Sequence, residues 1–235
     1  MNEAAAIIPA AGMGVRLGLA VPKALVQVAG RTLLDWCLFS LDRSGVVADI
    51  VVSVPPGAIP VFQEATSNRA GVRFTEGGRS RQESVHAALG LIAPGSKVLI
   101  HDAARCFAGP DLIRRVVDSV DLDHPAVVPG LPVSDTIKVV DSGEPAPVVA
   151  TPDRTSLRAI QTPQGFLTDV VLEAHQKFRE AGLSEATAAT DDAQLIEWMG
   201  LPTFVCEGDE SAFKVTTKSD LELAERWVNA NLFDF

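Results

Sequence analysis

The sequence predicts an α/β protein, with a mainly parallel sheet, helices on both faces and a protruding β-hairpin. Three observations carry this expectation. Short apolar runs of strand length alternate with longer amphipathic stretches over most of the chain. The first run, AAAIIPA, reads as a buried strand, as central strands of helix-covered parallel sheets do. One stretch, residues 131–150, breaks the alternation and contains no crossover helix.

Taken in order, residues 4–10 form the first strand and feed the loop AGMGVRLGLAVPK. Leu34, Leu38 and Leu41 recur at helical spacing behind Thr32, a residue type suited to an N-cap. Residues 49–54 make a second strand. Ser80-Arg81-Gln82-Glu83 is a capping box ahead of a helix running to about Ile92. Residues 97–101 form a strand ending in a polar loop, and Pro110 suits the first turn of the helix DLIRRVVDSV. AVVPG is another short strand. The stretch 131–150 reads as two short strands around a Ser-Gly-Glu-Pro turn, and the arm as a whole covers about 131–155. Helices are expected at about 168–181 and 191–199, strands at 203–206 and 213–216, and a terminal helix at about 219–231. Residues 1–235 thus read as a single Rossmann-like domain with an arm.

A chain of 235 residues, 47% hydrophobic, can build one core of the larger kind. Every apolar run is broken by Gly, Pro or a charge before it reaches membrane-spanning length, so no membrane association is expected. The N-terminus carries an acid in place of the basic start of a signal peptide, which makes the cytoplasm the expected compartment. Cys37, Cys106 and Cys206 are odd in number and far apart, against a disulfide framework or a zinc site. A net charge of -10 repels phosphate backbones and argues against a nucleic-acid partner. The first 34 residues run the other way, with Arg16, Lys23 and Arg31 against Glu3 alone. That local excess of positive charge suits a small polyanion.

The loop Ala10-Ala11-Gly12-Met13-Gly14-Val15-Arg16-Leu17-Gly18 follows the first strand directly. Glycines let backbone N–H groups approach an anion closely, so Ala10, Ala11, Gly12 and Gly14 are candidate nucleotide-binding positions. The third glycine comes one residue late for the dinucleotide fingerprint, and no Gly-Lys-Ser/Thr occurs for a Walker loop. Arg16 and, after Pro22, Lys23 instead supply two cations suited to a triphosphate and a leaving pyrophosphate. Farther on, Gly78 and Ser84 in GGRSRQES sit at a turn leading into a helix. Asp102 lies past a strand end, where open α/β sheets place ligands, and is the candidate Mg²⁺ ligand, with Arg105 set to neutralise an acceptor phosphate. His101 reads as a structural histidine and Cys106 as packing. Lys214, a lone cation in an apolar stretch, needs an anion if buried, and a phosphate is the economical one. Asp209 is the candidate for a second metal-side acid.

The pattern P-A-A-G-x-G-x-R-(x)5-P-K resembles the signature of sugar-nucleotide and alditol-phosphate nucleotidyltransferases. More narrowly, the chain is similar to the 2-C-methyl-D-erythritol 4-phosphate cytidylyltransferase family through PAAGMGVRLG, VPKAL, GGRSRQESV, HDAAR, SDTIK, QTPQGF, TDDA and FKVTT, eight strings in the family's order. The family commonly has Pro where this chain has Cys106. The resemblance implies a Mg²⁺-dependent transfer from CTP to a small alditol phosphate in non-mevalonate isoprenoid precursor biosynthesis. It implies that Gly78 and Ser84 contact the cytidine part and that Arg16, Lys23 and Lys214 are catalytic. It further implies a homodimer whose arm carries Thr136 and Arg154 to the neighbour's acceptor pocket, which Thr162 and Thr190 also line. Ribitol-5-phosphate cytidylyltransferases share the loop and base-binding strings, and a non-catalytic nucleotide-binding regulator on the same fold is a rival of a different class.

Overall fold

The structure is a computed structural model describing residues 3–14, 21–66, 69–182 and 190–230. Its centre is an eight-stranded sheet. Four strands form a parallel half: β1 (Ala4–Pro9), β4 (Val47–Val54), β5 (Val72–Glu76) and β6 (Lys97–Ile100). They lie in the order β6-β1-β4-β5, so the chain moves one way from β1 to β4 and the other way to β6. That reversal is a topological switch point, and its position decides where a ligand can sit.

Beyond β6 the sheet turns antiparallel. β11 (Gln164–Leu167) pairs with β6 and with one end of β7 (Ala126–Pro132), and β10 (Arg158–Ile160) pairs with the other end of β7. β12 (Phe204–Glu207) runs parallel along the opposite edge of β7. Neither β10 nor β11 is expected from the sequence, because Pro and Gly in QTPQGF mask a strand only four residues long. The short helix α2 (Ile59–Ala65) is likewise not foreseen.

Alternate residues along the strands enter two cores, as the two-residue period requires. Ala4, Ala6 and Ile8 pack with α1 (Leu33–Ser44), α2, α4 (Pro110–Ser119) and α7 (Lys218–Asn229). Ala5 and Ile7 pack on the other face with α3 (Arg81–Leu89), α5 (Thr168–Glu180) and α6 (Ala193–Trp198). The expected helix signals operate: Thr32 Oγ1 accepts from Asp35 N–H at 3.0 Å, and Pro110 sits in the first turn of α4. The capping box of α3 closes differently from expectation. Ser80 Oγ accepts from Glu83 N–H at 3.1 Å, but the Glu83 carboxylate takes the Arg79 N–H at 2.7 Å.

The arm is a hairpin of β8 (Val139–Val140) and β9 (Val148–Ala150), as the sequence predicts. A second small hairpin joins β2 (Gln27–Val28) to β3 (Arg31–Thr32). The expected strand at 213–216 is absent. Val215 N–H donates at 2.8 Å to Ala104 O in the turn after β6, and no sheet ladder includes this segment. No helix among the described residues is long and apolar enough to cross a membrane.

Gly165 in β11 lets α4 lie directly on the sheet. A Cβ there would sit 2.7 Å from Val116 Cγ1 and 2.8 Å from Val120 Cγ2. Gly165→Ala is therefore expected to destabilise the fold by about 1–3 kcal/mol, measured as a lower urea midpoint at unchanged slope.

Candidate active site

The carboxyl ends of β1 and β6 and the turn after β5 converge at the switch point, around a cavity of about 300 Å³. Its walls are residues 9–13, Lys23 and Ala24, residues 78–81 with Ser84, residues 102–104, and Lys214. Separate stretches of sequence thus meet in one concavity.

Among the described residues, Asp102 is the one carboxylate in that wall, and two cations hold it. Its Oδ1 accepts from Arg81 Nε at 3.2 Å and its Oδ2 from Lys214 Nζ at 2.7 Å. Burial by itself would raise the carboxyl's pKa, but the Arg81 and Lys214 charges outweigh burial and hold it well below the usual carboxylate range. Arg81 reaches past Asp102 to a second carboxylate, with Nη1 2.6 Å from Oδ2 of the fully buried Asp192. Asp192 Oδ1 in turn lies 3.1 Å from His175 Nε2. The same balance operates at Asp192, where burial is outweighed by Arg81 and His175 and the carboxyl is lowered.

The segment Gln161–Gln164 fastens this arrangement. Thr162 Oγ1 accepts from Asp102 N–H at 3.1 Å and contacts His101 Nδ1 at 2.9 Å. Gln161 grips the backbone of Asp209 through both its amide atoms, at 2.7 and 2.9 Å. Gln164 holds Asp191 Oδ2 at 2.8 Å and Ala193 N–H at 3.3 Å. The peptide between Thr162 and Pro163 is cis. This short run therefore ties the turn after β6 to the segments bearing Asp192 and Asp209.

The structure brings many of the expected residues together. Ala10, Ala11, Gly12, Lys23, Gly78, Ser84, Asp102 and Lys214 all border the cavity. Gly78 must lack a side chain there, since a Cβ would run into Glu83, and its N–H donates to Ser84 Oγ at 3.2 Å. Lys23 N–H donates to Gly12 O at 3.0 Å, which ties the cation to the glycine turn. Gly14 is placed otherwise than expected: its N–H donates to Val21 O at 3.1 Å, closing the neck of the loop. Arg16 lies outside the described residues.

Other residues fall elsewhere. Arg105 spends Nη1 on Ala212 O at 2.8 Å and Nη2 on Ile160 O at 3.1 Å, so its guanidinium braces backbone in this arrangement. Asp209 does not reach the cavity wall, because its carboxylate accepts from Ser211 N–H at 2.8 Å and caps the short turn Glu210–Ala212. Thr190 is exposed and donates its N–H to Gln194 Oε1 at 2.7 Å; the N-cap of α6 is Asp192. Thr136 and Arg154 are exposed on the arm, with Arg154 Nη1 2.6 Å from Ser134 O. Lys214 is 42% exposed, and the anion beside it is Asp102, so the argument that a buried lysine needs a phosphate does not hold. Cys106 is fully buried and burial raises its thiol pKa, as suits a packing residue.

Sequence reasoning does not single out Arg81, Asp192 or His175. One signal was present: Arg81 opens α3, the end of a helix where a cation is unfavourable unless anions face it.

A Rossmann-like sheet with cations gathered around one carboxylate at its switch point defines a nucleotide-binding α/β protein fitted to a polyanion. The chain belongs to the IspD family, 2-C-methyl-D-erythritol 4-phosphate cytidylyltransferase, whose profile matches residues 4–230. It is 45% identical over 225 residues to the 2-C-methyl-D-erythritol 4-phosphate cytidylyltransferase of Saccharopolyspora erythraea, covering 94% of this chain and 96% of that one. A protein of the same description from Streptomyces avermitilis is 43% identical, covering 94% of this chain and 90% of the other. Among solved structures, the 2-C-methyl-D-erythritol 4-phosphate cytidylyltransferase of Thermus thermophilus superposes with a TM-score of 0.80 at 39% identity, covering 97% of this chain and 99% of that one.

His101 gives the site a pH signature. Burial lowers its pKa from 6.5 to about 4, so the folded protein keeps it neutral where the unfolded chain protonates it. Its contribution to stability is complete above pH 6.5 and is lost as pH falls from 6.5 towards 4, on the order of 3 kcal/mol in all. The lowered carboxyls of Asp102 and Asp192 act in a separate window, below the ordinary value of 3.8. His86, also lowered chiefly by burial, slopes the same way as His101, so comparison with a variant isolates His101. Urea denaturation from pH 7.5 to 4.5 is expected to show a flatter decline in His101→Gln than in wild type; parallel declines would refute this.

Proposed function

We propose that the chain transfers a cytidylyl group from CTP to 2-C-methyl-D-erythritol 4-phosphate. The products are 4-(cytidine 5'-diphospho)-2-C-methyl-D-erythritol and pyrophosphate, in cytoplasmic non-mevalonate isoprenoid precursor biosynthesis. The observation that carries the reading is the cavity at the switch point, whose wall holds Lys23, Lys214 and Asp102 together, in a chain of this family.

An oxygen of the acceptor phosphate attacks the α-phosphorus of CTP and forms a new P–O bond. The bond from the α-phosphorus to the bridging oxygen breaks, and its electron pair leaves on pyrophosphate. A phosphate monoester is already largely ionised at neutral pH, so no side chain has to remove a proton. Lys23 and Lys214 neutralise the charge that grows on the leaving group, and the Gly12 and Gly78 turns allow close approach of phosphate and base. Arg16 joins these cations by its place in the family string.

Asp102 borders the cavity, and with Lys214 moved off its Oδ2 it would suit Mg²⁺, which takes one or two carboxylates and completes its shell with phosphate oxygens. No group of three or more His, Cys, Asp or Glu side chains forms a metal cage among the described residues, so substrate would supply the remaining ligands. Mg²⁺, when bound, contributes charge neutralisation on the phosphates.

The arm supports a homodimer as part of the same proposal. Ile137, Val139, Val140, Val148 and Val149 are exposed on it, an apolar surface that a second copy would cover.

Pyrophosphate release with four triphosphates, against 2-C-methyl-D-erythritol 4-phosphate and ribitol 5-phosphate, tests the reading. Turnover is expected with CTP and the methylerythritol phosphate, to vanish with EDTA and to return with Mg²⁺. Lys214→Ala is expected to lower kcat roughly a hundredfold. Preference for ribitol 5-phosphate would replace the acceptor, and kcat within a few fold of wild type for Lys214→Ala would remove the role given to that lysine.

A further inference from the structure

Arg81 occupies the first turn of α3, at the positive end of the helix dipole. It is nonetheless largely buried, with 23% of its side chain exposed, and its guanidinium spans two carboxylates. Nε meets Asp102 Oδ1 at 3.2 Å on the cavity side, and Nη1 meets Asp192 Oδ2 at 2.6 Å beneath it. Asp192 and His175 are both buried, and His175 stacks on His86 with ring centroids 6.2 Å apart. A continuous line of contacts therefore runs from Lys214 through Asp102, Arg81 and Asp192 to His175.

The two cations on Asp102 are not equivalent. Lys214 is a compact charge on a flexible stem and is 42% exposed. If it moves from Asp102 to an incoming phosphate, Arg81 still neutralises the carboxylate. Arg81 borders the same cavity, but a move onto phosphate would leave Asp192 with only a histidine beside it. Removing one partner from a buried ion pair is strongly destabilising, because the remaining charge has no solvent to turn to. Arg81 is therefore held from below, and its planar fork suits bridging two carboxylates in a way an ammonium group does not.

We propose that Arg81 is a positioning residue for cytidylyl transfer: anchored by the buried Asp192, it fixes the Asp102 carboxylate in the cavity while Lys214 exchanges from Asp102 to phosphate. This rests on the function proposed above and deepens it. It assigns Arg81 to geometry and not to phosphate binding, although Arg81 is a cation in a polyanion site. Asp192 acts one step farther back, through Arg81.

The consequence is a split between turnover and binding. Asp192→Asn keeps the shape and a hydrogen-bonding oxygen but removes the charge that anchors Arg81. Pyrophosphate release from CTP and 2-C-methyl-D-erythritol 4-phosphate is expected to lose roughly tenfold or more in kcat. The Kd for CTP, by isothermal titration calorimetry, is expected to stay within about threefold of wild type or to tighten as Arg81 is freed towards the triphosphate. Arg81→Lys keeps the charge but cannot bridge both carboxylates, and it is expected to show the same split; it carries the test if Asp192→Asn does not fold. A folded variant with kcat within about twofold of wild type overturns the inference. So does a loss of CTP binding in step with kcat, which would make Arg81 a phosphate ligand. Wild-type protein that releases no pyrophosphate from CTP with either alditol phosphate overturns the proposed function and this inference together, whereas active wild type with unaltered variants overturns the inference alone.

Discussion

The site depends on one ion pair cluster: a single carboxylate, Asp102, held between Arg81 and Lys214 at the end of β6. A lone carboxylate at the mouth of an apolar sheet would be costly, and two lone cations beside it would be mobile. Joined, the three groups fix one another. The cluster also draws together three parts of the chain remote in sequence, namely the start of α3, the turn after β6 and the segment before α7. Without Asp102, Lys214 would lose the group that orients it, and Arg81 would keep Asp192 alone.

The sheet topology makes that junction possible. β1 and β6 are neighbours whose carboxyl ends both lead into the cavity wall, where the chain reverses its direction of travel across the sheet. The opening is lined by glycine and alanine turns, so backbone reaches the cavity where bulky side chains would fill it. The antiparallel strands β10 and β11 have a different duty. They carry Gln161–Gln164 across the edge of β6, where the glutamines and Thr162 clamp three segments. Arg105 adds a fourth clamp between Ala212 and Ile160. In this arrangement Thr162 of QTPQ holds the backbone of Asp102, while Arg105 of HDAAR braces two backbone carbonyls.

The parallel core was legible in the sequence because buried strands and amphipathic helices leave strong periodic signals. AAAIIP, the Thr32 cap and Pro110 each act as local rules require. What was not legible depended on tertiary partners. β11 is too short and too rich in Gly and Pro to announce itself, and only the packing of α4 onto Gly165 explains its composition. The segment 213–216 looks like a strand by its apolar residues, yet its hydrogen bonding goes to the Ala104 turn. The site divides in the same way. Lys23, Gly78, Asp102 and Lys214 lie in strings whose chemistry is visible in one dimension, and the cavity unites them. Asp209 and Arg105 carry suitable charges but are committed to caps and carbonyls, which no spacing reveals. Arg81 and Asp192 are 111 positions apart, so their pairing needed the fold.

A crystal structure with a non-hydrolysable CTP analogue and 2-C-methyl-D-erythritol 4-phosphate bound addresses the cluster most directly. The expected result places the Lys214 ammonium on a phosphate oxygen, with Arg81 still bridging Asp102 and Asp192. Lys214 remaining on Asp102 while the Arg81 guanidinium binds the triphosphate would contradict the roles given to both cations.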